Sequence, residues 1–186
     1  MKRRNLIITL TLSALFCTLI CVGSFIRIPM PNMMPMTLQT FFVLLTALVL
    51  PLKASTLAIA TYIALGLIGL PIFSGGGGLG YVLMPNFGFI IGFFISSVII
   101  GFLIQKLKNR KLWHYIIISL LGITIIYIIG LIYFAFITNV YNNNNYSAIW
   151  FIQTAFLPFL PKELICIVLA SISACKIGPY ITKIPQ

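Results

Sequence analysis

The stretch WHYIIISLLGITIIYIIGLIYFAFIT, residues 113–138, decides how the rest of the chain is read. It holds no Lys, Arg, Asp or Glu. A helix rises about 1.5 Å per residue and needs roughly 20 residues to cross the hydrocarbon layer, so this run is long enough to span a membrane. Outward from it, further apolar runs extend over Leu6–Ile26, Thr37–Leu50, Ala54–Leu70, Phe89–Ile104 and Thr154–Ala174. The fold expected is an all-α integral membrane bundle of six helices. The run ending at Pro51 is short for a full crossing. With 61% apolar and 7% charged residues the chain has too little polar surface to face water on all sides. The basic start and the apolar run from Leu6 resemble a signal peptide, but the run exceeds an h-region of about 7 to 15 residues and no A-x-A-like site ends it. It reads as the first permanent span.

Twelve Lys and Arg against one acid give a net charge of +11, which in a soluble domain suggests a nucleic-acid partner. The spacing of the charges excludes that reading, because they fall between the apolar runs. With six spans, Lys2, Arg3, Arg4, Lys53, Lys106, Lys108, Arg110, Lys111, Lys176 and Lys183 collect on one side, and only Arg27 and Lys162 on the other. Cations near span ends are retained in the cytoplasm, so both termini are expected there. The opposite, outer side then receives every irregular segment: the Pro/Met connection 27–36, the uncharged glycine-rich loop 71–88 and the Asn run 139–146. Non-helical backbone near membrane depth is tolerated where it is buried in protein or lines a cavity. These loops are therefore either the walls of a ligand pocket or plain connections.

Few residues offer chemistry. Glu163 is the sole acid, and it follows Pro161 where the last span begins. An ionisable group in a span costs about 2.5–3.5 kcal/mol and faces a bundle interior or a wet cavity; a carboxylate in the first turn also complements the helix dipole. Lys162 and Arg27 are the outer cations, candidates for an anionic ligand, with Arg27 also suited to anchor at the headgroups. His114, beside Trp113, stands at the cytoplasmic end of its span and has no acid near it, so no catalytic triad assembles and no enzyme is expected. Gly75, Gly77 and Gly80 fit G-x-G-x-x-G only formally: they follow an apolar helix and no acid lies about 20 residues on. No Lys-Ser or Lys-Thr follows the glycines, so no ATPase is expected in this chain and any energy for transport must come from elsewhere. Cys17, Cys21, Cys166 and Cys175 all lie inside apolar runs, indicating neither a disulfide framework nor a metal site. No cofactor is expected. In the first span Ser13, Cys17 and Cys21 recur every four residues beside Ala14 and Thr18, a small-residue stripe suited to close helix contacts within the bundle or with a partner.

The segments IRIPMP (26–31), MTLQTFFVLLTALVLPLKAS (36–55), YIALGLIGLPIFSGGGG (62–78) and FLPFLPKELICIVLA (156–170) resemble the BioY proteins, biotin-specific S components of energy-coupling factor (ECF) transporters. The likeness covers nearly the whole chain in order. It implies a single transmembrane domain over 1–186 in the bacterial plasma membrane, surrounded by lipid, without nucleic acid. It would take up biotin with a transmembrane coupling subunit and two cytoplasmic ATPase subunits. The family's small-xxx-small contact with the coupling subunit maps onto Ala14 and Thr18, with Thr in place of the usual Ala. Where the family reads Pro-Gly-Asp and then Lys three residues on, this chain has Pro161, Lys162, Glu163 and Cys166. Met84, Phe87 and Phe89 stand where Gly, Gly and Tyr are common. On this resemblance Glu163, Gln39 and Asn86 are expected to address the polar head of biotin or the loop geometry. Lys162 would address the carboxylate, and the glycine loop around Gly76, with Tyr81, would close over the ligand. Adjacent helical positions point about 100° apart, so Lys162 is not automatically equivalent to the displaced lysine. The alternatives are an S component for another small vitamin and a ligand-free membrane scaffold.

Overall fold

The structure is a computed structural model that describes residues 2–30, 34–107 and 110–182. Pro31, Lys108 and Lys183, which enter the readings above, lie outside the described residues. The elements are α1 (Lys2–Phe25), a minimal antiparallel hairpin of β1 (Arg27–Ile28) and β2 (Met36–Thr37), α2 (Gln39–Val49), α3 (Leu52–Ile68), α4 (Phe87–Lys106), α5 (Leu112–Ala135), α6 (Ala148–Ala155) and α7 (Leu160–Thr182). Among the described residues, four helical stretches are long and apolar enough to cross a membrane: Arg3–Phe25, Phe87–Lys106, Leu112–Tyr141 and Ala148–Ile181. α2 and α3 are shorter.

The long helices alternate in direction. The Ser13 hydroxyl donates to the Ala54 carbonyl at 2.9 Å and the Ser24 hydroxyl to the Ile72 carbonyl at 2.5 Å, which sets α1 parallel to α3. The Ser96 hydroxyl donates to the Gly122 carbonyl at 3.0 Å between α4 and α5, and Ser119 meets Ser171 at 3.2 Å between α5 and α7. Hydrocarbon gives helices no hydrophobic reason to associate, so small polar side chains of this kind join them at about 0.6 kcal/mol each. Outward faces stay apolar, with Ile117, Leu121, Ile128 and Ile132 of α5 exposed.

α2 occupies the middle of the bundle. Nine of its residues, from Gln39 to Val49, are buried, and it contacts α1, α3, α4, α5 and α7. A helix apolar on every side belongs in an interior, and the neighbours of α2 enclose it accordingly.

Three expectations are corrected. Helix resumes at Ala148 rather than Thr154, because Ser147 caps α6 by accepting from the Trp150 N–H at 3.3 Å. Pro158 lies in a 3-10 turn, Leu157–Phe159, that separates α6 from α7. α5 continues through a π-helical turn to Tyr141, shortening the Asn loop, and α7 runs past Ala174 to Thr182. The first-helix stripe also divides. Ser13 and Cys17 are buried, whereas Ala14 and Thr18 are exposed on another face of α1, the Thr18 hydroxyl donating to the Ala14 carbonyl at 2.9 Å.

Candidate functional site

At the end of the bundle where α2, α4 and α7 begin, the helices part around a cleft of about 580 Å³, some of it continuous with solvent. Its lining is apolar with a few convergent polar groups, the make-up of a small-ligand site. The glycine-rich loop and the hairpin form its upper wall. In the loop, Phe73 and Gly76 exchange both backbone hydrogen bonds, at 2.9 and 3.2 Å, around a tight turn that needs φ of +128° at Gly76. A Cβ on Gly77 would run into the Leu70 carbonyl. The run of glycines is thus a requirement of backbone folded onto the end of α3. Gly76 shapes the turn without lining the cleft, and Ser74 beside it does line it.

The turn aims Tyr81 inward. Asn86, the residue before α4, donates from Nδ2 to the Tyr81 hydroxyl at 2.6 Å, and that hydroxyl lies 3.3 Å from the Ser74 hydroxyl. Tyr81 is buried between Phe73 and Phe87, with ring centroids 4.7 and 6.4 Å away, so it is a fixed part of the wall. Arg27, expected as a headgroup anchor, is exposed, and its guanidinium donates to the Ser74 carbonyl, tying the hairpin to the glycine loop. His114, at the far end of the bundle, stacks on Trp113.

The floor of the cleft joins α2, α5 and α7. Glu163 is 3% exposed and stands in the first turn of α7, where its charge complements the helix dipole. Its Oε1 accepts from the Tyr127 hydroxyl at 3.0 Å and the Thr40 hydroxyl at 3.3 Å, and it lies 2.7 Å from Lys162 Nζ. Its Oε2 is buried with no partner among the described residues. Lys162 also donates to the Thr37 carbonyl at 3.1 Å and the Thr40 hydroxyl at 3.2 Å. The long lysine stem overcomes the 100° offset, and both adjacent side chains reach the cleft. Gln39 lines the same floor and donates from Nε2 to the Tyr62 hydroxyl at 2.5 Å. Phe89, Phe93 and Phe159 supply apolar wall.

Of the expected site residues, the fold brings Gln39, Tyr81, Asn86, Lys162 and Glu163 around one cleft. Sequence reasoning passed over Thr40, Ser74 and Tyr127. Tyr127 carried a usable signal: a phenol inside an apolar run needs a partner, and the chain offers it one acid.

Residues 1–183 match the BioY family. The chain belongs to that family. It is 39% identical over 166 residues to the "Biotin transporter BioY" of Thermotoga maritima, covering 89% of this chain and 92% of that protein. It is 37% identical over 143 residues to the "Probable biotin transporter BioY" of Lysinibacillus sphaericus, covering 77% and 72%. The fold matches a crystal structure of the S-component for biotin from an ECF-type ABC transporter with a TM-score of 0.83, at 27% identity over 95% of this chain and 94% of that one. A BioY fold with several long apolar helices makes this a multi-pass membrane protein.

Proposed function

We infer that this chain is the biotin-binding S component of an ECF-type transporter, a transport protein and not an enzyme. The observation that carries the reading is Glu163 Oε2, a buried carboxylate oxygen with no donor among the described residues, on the floor of a small-ligand cleft. Buried polar atoms are rarely left unpaired, and a cyclic urea such as the head of biotin brings the N–H groups this oxygen lacks. Asn86, Tyr81 and Gln39 are the neutral polar groups that orient the head, with Gly76 holding the loop above them.

In this reading the whole chain works as one transmembrane domain in the bacterial plasma membrane. α1 to α5 and α7 are the six spans, with both termini cytoplasmic. α2 and α3 complete their crossings through the loops that cover them. Ala14 and Thr18 contact the coupling subunit, and two ATPase subunits on the cytoplasmic side supply the energy. Mass spectrometry of the ligand retained by detergent-purified protein, followed by calorimetric titration with biotin, tests the reading. Retained biotin and a saturable heat support it, and retention of another vitamin that biotin fails to displace refutes it.

A further inference from the structure

The reading above seats the urea head against Glu163 and leaves open how the cleft treats the charged tail of the ligand, and the charges around it answer. An ammonium has three donors. Those of Lys162 face three acceptors: Glu163 Oε1 at 2.7 Å, the Thr37 carbonyl at 3.1 Å and the Thr40 hydroxyl at 3.2 Å. Its charge is compensated at contact distance by the only acid in the chain. No other Lys, Arg or His is among the described lining residues. Arg27 is exposed and engaged with the Ser74 carbonyl. The floor of the cleft therefore presents a neutral ion pair and a set of uncharged polar groups, while the charge of Arg27, held at the Ser74 carbonyl, is exposed to solvent and screened there.

The geometry points to Lys162 as a positioning residue for Glu163, and to a cleft that reads a urea-like head while remaining indifferent to charge on the ligand's tail. This inference rests on the proposed biotin function and specifies its substrate class: biotin together with uncharged carboxamide and ester derivatives of its side chain. The physical reasons are two. A carboxylate drawn down to the floor would set two carboxylates against the single ammonium of Lys162, and an uncompensated buried charge is strongly disfavoured. The tail is better left at the mouth, where solvent and salt screen its charge. Meanwhile three donors on Oε1 hold the carboxylate in one orientation, which is what keeps Oε2 turned to a ligand N–H.

Calorimetric titration of the purified full chain with biotin and with biotinamide, its primary carboxamide, tests this directly. Wild-type protein should bind the two within about threefold of each other. Lys162→Met should weaken both by the same factor, about tenfold or more, because it frees Glu163 from its fixed orientation. Lys162→Arg should recover most of that loss. In a Glu163→Gln background, Lys162→Met should have little further effect, the signature of residues acting as a pair. A wild-type preference for biotin above about thirtyfold overturns the inference. If that preference vanishes in Lys162→Met, the ammonium reads the carboxylate after all; if it survives, another group does. The wild-type ratio decides even where a variant fails to fold. Binding of neither compound by wild-type protein overturns the functional reading itself.

Discussion

The Tyr127 hydroxyl donates to Glu163 Oε1 at 3.0 Å, joining the middle of α5 to the first turn of α7 across the floor of the cleft. Hydrogen bonds to charged groups contribute about 1.5–3 kcal/mol. Tyr127→Phe keeps the ring, which packs edge-on against Phe89 and Phe156, and removes only the donor. Thermal unfolding in detergent should show a loss of about 1.5 kcal/mol, with weaker biotin binding by calorimetry. Unchanged affinity would remove Tyr127 from the site.

Glu163→Ala leaves the Lys162 ammonium largely buried with neutral acceptors only. Breaking a buried pair from one side costs about 3–5 kcal/mol, so this variant should be less stable than Glu163→Gln, whose amide still accepts from Lys162 and Tyr127. Chemical denaturation of the two purified variants compares them. Equal stability would show that the pair is solvated.

Gly77→Ala places a methyl group against the Leu70 carbonyl. Overpacking of this kind costs about 1–3 kcal/mol, and here it displaces the loop that carries Ser74 and Tyr81. Faster biotin release, followed by dilution of radiolabelled complex, is the expected result.

The two faces of α1 should separate fold from assembly. Ser13→Leu crowds the contact with α3 at Ala54 and should lower the midpoint of thermal unfolding. Thr18→Leu enlarges an exposed position; it should leave the midpoint unchanged and diminish co-purification with a coupling subunit. Normal co-purification of Thr18→Leu would exclude this face as the contact.

Much of the fold was legible because hydrocarbon imposes length and apolarity on any helix that crosses it, and residues 113–138 meet both demands without ambiguity. The break between α6 and α7 was harder to read. Residues 148–155 are as apolar as a span, and only the cap at Ser147 and the ring of Pro158 mark them as a separate helix. At the site, Glu163 stood out as a lone acid, and Asn86 and Gln39 came from the family likeness. The side-chain contacts of Lys162 were not legible. Whether its side chain turns toward a ligand or back onto its neighbour depends on Thr37 and Thr40, more than 120 positions away in sequence, and no local pattern encodes that choice.

The central position of α2 also bears on how the protein is made. Its first turn supplies Thr40, yet the partner of Thr40, Glu163, is synthesised 123 residues later. Until α7 emerges, α2 lacks one of its enclosing walls and the carboxylate does not exist. A chain cut short between α6 and α7 retains six of the seven described α-helices and lacks Glu163 and Lys162. Ligand capture by this protein is therefore a report that α7 has been made and has docked.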